Sequence, residues 1–206
     1  MKKKAWGKRL AERSDLSVSL IHLTKDNTEL SALDVLIKIL KEKKLIGSRT
    51  ETGFICGNSP AVCFQDTPLY QLCQNIYYEQ NMRKANEYEK IRYLGVGIMF
   101  SKFYVYQKGG RPVVYEKKET AKDFLPSSEY WRIVNYDLSN EDEIIDWTHE
   151  REWRVKNDFC FELDEVTVIL PKSKSMKDFI KKYREEFNKE PYDDLKSIIT
   201  LQELFY

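Results

Sequence analysis

YLGVGIMFSKFYVYQKGGRPVVYE, residues 93–116, decides what kind of fold this chain can form. Residues 93 to 107 are rich in β-branched and aromatic side chains, which favour a pleated, half-buried strand. Gly109-Gly110 follows, and RPVVYE is a second β-rich run. Two such runs around a Gly-Gly turn predict a β-hairpin and hence antiparallel pairing. Helical patterns flank this centre irregularly rather than in regular strand–helix alternation. SALDVLIKILKEKKLIG (31–47) has Ser31 as an N-cap, a stripe of Leu33, Leu36, Ile37 and Leu40, and Gly47 as a stop signal. LYQLCQNIYYEQNMRKANEYEKI, after Asp66-Thr67-Pro68, reads as a second helix. SMKDFIKKYREEFNK reads as a third. SLIHLTKD (19–26), AVCFQD (61–66), REWRV and EVTVILP read as strands. SNEDEIIDW reads as a short helix behind Ser139 and Asn140, and residues 117 to 130 as a loop. The closing SIITLQELF fits a strand or a short helix. The class expected is α+β, a single domain over 1–206 with mainly antiparallel sheet and flanking helices.

Composition agrees with a folded chain of that size. Of 206 residues, 42% are hydrophobic and 13% aromatic, which suits a globular core rather than disorder. The 34 Lys and Arg nearly cancel the 33 Asp and Glu, for a net charge of +1. No global field therefore favours nucleic acid or an anionic membrane. The exception is local. MKKKAWGKRLAER carries six basic residues against Glu12, and residues 1–18 read as a basic arm, either simply solvated or touching a phosphate backbone. No apolar run approaches the roughly 20 residues needed to span a bilayer, so no membrane role is expected. Cys56, Cys63, Cys73 and Cys160 have no C-x-x-C spacing. They read as reduced thiols of a cytoplasmic protein, and no metal is expected. The nucleotide-binding glycine motifs, G-x-S-x-G and H-E-x-x-H are all absent.

Four groupings of residues carry chemistry. His22 and Thr24 lie two apart on the first strand and so share one face, lining a pocket or serving as a structural histidine and a capping threonine. Asp66-Thr67-Pro68 has the form of a strand-to-helix cap. Tyr93 precedes Gly95 and Gly97, and glycines within a strand mark a close neighbour, either a ligand ring or a packed element. DWTHEREWRV (146–155) places Glu150, Glu152 and Arg154 on one face if it is a strand throughout, with His149, Arg151 and Trp153 on the other. Adjacent carboxylates persist when a cation or hydroxyl donor sits between them. That describes a salt-bridged strand or the acidic edge of an active site.

In this order, His-x-Thr, VCFQDTPL, Tyr-x-Gly-x-Gly-Ile-x-Phe-Ser-Lys, GRPVVY and DWTHEREWR resemble the motifs of the AbiGi-like abortive phage-resistance family, from about Ile21 to Arg154. That family is distantly similar to the ADP-ribosyltransferase fold of DarT-type DNA-modifying enzymes. The resemblance implies a split, antiparallel β-structure that binds NAD. It implies His22 as the ribose contact with Thr24 beside it, Tyr93 as the aromatic on nicotinamide, and Arg154 as a further cofactor contact. Glu152 would be catalytic and Glu150 the first member of a Glu-x-Glu pair. The serine-threonine-serine signature of arginine-directed members is absent, which leaves the target residue type open. The activity implied is an anti-phage ADP-ribosyltransferase or NAD glycohydrolase with a protein or nucleic-acid acceptor. The alternative is a non-enzymatic antitoxin that binds a cognate partner of a phage-defence system.

Overall fold

A computed structural model describes residues 1–52, 54–85 and 94–204. Its elements in chain order are α1 (Lys3–Ala11), β1 (Ser19–Leu23), α2 (Ala32–Glu42), β2 (Lys44–Leu45), β3 (Ala61–Gln65), α3 (Leu69–Ala85), β4 (Gly97–Ser101), α4 (Lys102–Gln107) and β5 (Arg111–Pro112). There follow β6 (Val114–Glu116), α5 (Lys118–Phe124), β7 (Ile133–Asn135), β8 (Glu152–Lys156), β9 (Phe159–Cys160), β10 (Thr167–Leu170), α6 (Ser173–Phe187), α7 (Pro191–Asp194) and β11 (Ser197–Thr200). The chain is α+β, and its strand pairing is mainly antiparallel. It groups into two compact units built from interleaved segments. The first is Met1–Lys44, Thr67–Ser101 and Phe161–Tyr206, and the second is Leu45–Asp66 and Lys102–Cys160.

In the first unit the strands run in the order β11-β10-β4-β1. β4 pairs antiparallel with both β1 and β10, while β10 and β11 are parallel. Val168, Ile169 and Leu170 are fully buried, as are Leu20, Ile98 and Phe100. A continuous apolar run such as TVIL is what a strand covered on both faces requires. Leu72, Cys73 and Ile76 of α3 close over Ile21, Ile169 and Leu201. Burial pushes the Cys73 thiol up to about 11. α2 begins with the expected Ser31, in a capping box with Asp34, and buries Leu36, Ile37 and Leu40. It ends sooner than the pattern suggested, because Lys43 takes the left-handed conformation at φ 50. Gly47 is therefore no helix stop. A Cβ there would sit 2.8 Å from the Asn157 carbonyl oxygen, so it is a close-approach glycine.

Gly97 answers the question of what needs space beside β4. A Cβ on it would collide with the His22 carbonyl oxygen and sit 2.9 Å from Leu23 Cα. The neighbour is the β1 backbone. Gly97→Ala should therefore destabilise by about 1–3 kcal/mol, the usual cost of overpacking, read as a lower urea midpoint. An unchanged midpoint would mean that the two strands are not so close.

In the second unit β8 lies between β3 and β5, antiparallel to both, and β6 pairs in parallel with β7. The expected hairpin over 93–116 does not form. After Ser101 the chain turns into α4, and β5 pairs with β8 rather than with β4. The Gly-Gly pair explains why. Gly109 stands at φ +91, and the N–H groups of Gly109 and Gly110 donate to the carbonyls of Tyr106 and Val105. That is a helix C-terminal cap, a second task for which a left-handed glycine is suited. Residues 117 to 130, expected as loop, hold α5 and a 3-10 turn over Ser127–Arg132. SNEDEIIDW, expected as a short helix, is instead irregular, with Asp137 bridged to Ile145.

Candidate functional site

Asp146-Trp147-Thr148 starts the stretch that carries most of the expected site. The Asp146 carboxylate accepts from the Thr148 hydroxyl at 2.7 Å and from its N–H at 2.8 Å. Those bonds hold its carboxyl below the usual range. They nucleate a 3-10 turn over Thr148–Glu150, which ends with Arg151 in the left-handed region at φ 46. The β8 strand starts only at Glu152. Strand alternation therefore does not reach back to Glu150, and the expected single face of Glu150, Glu152 and Arg154 is reduced to Glu152 and Arg154.

Those two residues are paired and buried, with relative exposures of 7% and 3%. Arg154 Nε donates to Glu152 Oε1 at 2.7 Å, and Nη2 donates to Oε2 at 3.4 Å. Nη1 donates to the carbonyls of Trp131 at 2.9 Å and Ile133 at 3.0 Å, and Nη2 also donates to that of Phe54 at 3.3 Å. All five guanidinium N–H groups thus have acceptors within the unit. Arg154 has no donor left for a nucleotide phosphate, and its part is to hold Glu152. Burial pulls the guanidinium pKa down, but the Glu152 charge and its neighbours carry it above its usual value.

Register adds the neighbours. Gln65 lies opposite Glu152, and Cys63 opposite Arg154, so these four side chains share a face of the β3–β8 ladder. Burial, and then the Glu152 charge, push the Cys63 thiol well up. Gln65 Nε2 reaches Glu150 Oε1 at 3.5 Å, while its Oε1 is buried without a partner among the described residues. The Glu152 N–H donates to the Tyr115 hydroxyl oxygen at 2.7 Å. Burial raises the Tyr115 pKa, and the charges of Glu152 and Glu150 push the same way. Glu150 is half-buried. On the other face, Lys102 Nζ binds Asp66 Oδ1 at 2.7 Å and stands 5.9 Å from the Trp153 ring centroid. Asp66, expected as a helix cap, is thus paired with Lys102. The site-like cluster of the second unit is Glu150, Glu152, Arg154, Gln65 and Tyr115. Register brings in Gln65, and the placement of strand β6 brings in Tyr115. Tyr115 closes the GRPVVY motif, but nothing in that motif assigns it a role beside Glu152.

The other expected residues belong to the first unit. Thr24 is buried, its hydroxyl lying 3.0 Å from the Ala32 carbonyl oxygen and 3.1 Å from that of Val96. Its N–H donates to Val96 as well, so Thr24 ties the end of β1 to the start of α2. His22 is half-buried on β1 opposite Ile98. A hollow of about 770 Å³ in this unit has Tyr70, Tyr77, Pro171 and Leu201 in its walls, and neither His22 nor Thr24 is among its described lining. Tyr93 lies outside the described residues. Among the described residues no group of three or more His, Cys, Asp and Glu could hold a metal ion, and no helix is long and apolar enough to cross a membrane.

No family model matches this chain, and none of the curated proteins or solved structures compared with it does either.

Proposed function

We propose that this is an NAD-consuming protein of phage defence, an ADP-ribosyltransferase or NAD glycohydrolase with an ADP-ribosyltransferase-like split sheet. The supporting observation is the gathering of Glu150, Glu152, Gln65 and Tyr115 at one end of the β3–β8 ladder, with Glu152 held in one orientation by Arg154. The chemistry needs such a carboxylate. The nicotinamide–ribose bond breaks with oxocarbenium character, and its electron pair leaves with nicotinamide. A carboxylate at the ribose 2′-hydroxyl strengthens its hydrogen bond as positive charge develops, which favours the transition state over the ground state. Glu152 has lone pairs beyond the two that Arg154 uses. Glu150 orients the attacking water or acceptor and takes its proton. The acceptor is a protein or a nucleic acid.

The test is nicotinamide release from NAD by the purified chain, with and without cell extract. Release above a boiled control supports the reading. No release under either condition, together with no rise in melting temperature on adding NAD, removes it. The second reading, a partner-binding antitoxin, draws on α3. Tyr70 and Tyr77 stand exposed one heptad apart, and tyrosine is a frequent binding anchor. It expects a stoichiometric complex and no turnover.

A further inference from the structure

Lys2, Lys3, Lys4, Lys8, Arg9 and Arg13 stand against Glu12 alone in residues 1–13, within a chain whose total is +1. The residues that follow are therefore net acidic, and positive charge is concentrated at α1. Such asymmetry is a sign of a polyanionic partner. The helix does not account for its own charges. Lys4 lies in its first turn, where the macrodipole disfavours cations, and no acidic residue shares that turn. Lys2 at the N-cap makes no side-chain capping bond. Lys8 pairs with Glu12 at 3.7 Å, but both side chains are largely exposed, so the pair contributes little. Arg13 is committed to Asp15 through two bonds of 2.9 and 2.8 Å. Lys2, Lys3, Lys4, Lys8 and Arg9 are all exposed. A cation in the first turn of a helix breaks a local rule, and such breaks mark functional sites.

We infer that α1 is a contact for the phosphate backbone of nucleic acid, one that grips charge without reading bases. A membrane is disfavoured by the apolar side of the same helix. An interfacial helix offers its apolar face to the lipid, whereas Trp6 and Leu10, one turn apart, are half-buried. Because the remainder is slightly acidic in sum, net charge favours a polyanion at α1 over the rest of the chain. The stretch from Lys2 to Arg9 spans about 10 Å along the axis, and at about 100° per residue Lys2 and Arg9 lie on one flank and Lys4 and Lys8 on another, so the helix meets about three phosphates on its two flanks rather than in one row. The inference rests on α1 alone and does not depend on the NAD reading. Its assay contains no NAD, so the two can fail separately.

The experiment is fluorescence anisotropy of the full chain with a labelled duplex of about 20 base pairs, and with a single strand of similar length. Contact with about three phosphates predicts a log–log salt slope of about −2.7, or about a 40-fold loss of duplex affinity between roughly 50 and 200 mM salt. The triple variant Lys2→Gln, Lys4→Gln and Arg9→Gln should lose most of this binding and its salt dependence. Glutamine keeps helix propensity close to that of lysine, and circular dichroism checks the fold. Lys177→Gln with Lys181→Gln on α6 should bind as the parent does. The inference is overturned by absence of binding at low salt, by a triple variant that binds unchanged, or by an α6 variant that loses as much. Equal affinity for polyglutamate, or binding to phosphatidylserine vesicles without binding to nucleic acid, overturns it too.

Discussion

Arg154→Leu should lower unfolding free energy by about 3–5 kcal/mol, the usual cost of removing one partner from a buried pair. The size follows from what is left behind. Glu152, 7% exposed, would keep a buried charge with no cation beside it. The carbonyls of Trp131, Ile133 and Phe54 would lose their guanidinium donor. Urea denaturation measures this directly. Adding Glu152→Leu should recover part of the loss, since a buried pair replaced by apolar groups is often close to neutral. A single variant as stable as the parent would mean that the pair does not form.

Glu152→Gln should reduce nicotinamide release by about 10²-fold or more, because the amide cannot supply the charge that the ribosyl cation calls for. Glu150→Gln should act differently. It should lower transfer to an acceptor more than it lowers loss of nicotinamide, since the role proposed for Glu150 is toward the nucleophile. Melting temperatures separate chemistry from folding, a needed control because Glu152 also neutralises Arg154. Equal activity of Glu152→Gln and parent, with the fold intact, would leave the Arg154 pair as the whole role of Glu152. The stretch 146–155 would then be a structural ion pair.

The parts legible in the sequence are those where one physical cause dominates. The stripe of α2 with its Ser31 cap, the amphipathic α6 and the apolar β10 each follow from periodicity. Glu152 and Arg154 on one face follow from strand alternation. The failures arise where one residue type serves two geometries. Gly109 suits a hairpin turn and a helix cap equally, and only the partner of β5 decides between them. Arg151 at φ 46 breaks the alternation that placed Glu150 with Glu152, and arginine gives no local signal for a left-handed conformation. Tyr115 reaches Glu152 across 37 positions, which no local pattern encodes. Thr24 and Arg154 carry side chains suited to a ligand, yet backbone carbonyls take up their donors. The spacing of motifs cannot show whether a donor is already occupied.

The interleaving of the two units has a consequence for synthesis. β4 needs β10 on one side and β1 on the other, and β10 lies at Thr167–Leu170. A ribosome delivers β1 and β4 long before that partner. Until then β4 holds an open edge, the kind of surface that recruits other strands. The nascent chain must carry this edge while the longer segment of the second unit, Lys102–Cys160, emerges, and a chain that stops short of residue 167 never closes it. Such distant pairings also slow folding after release.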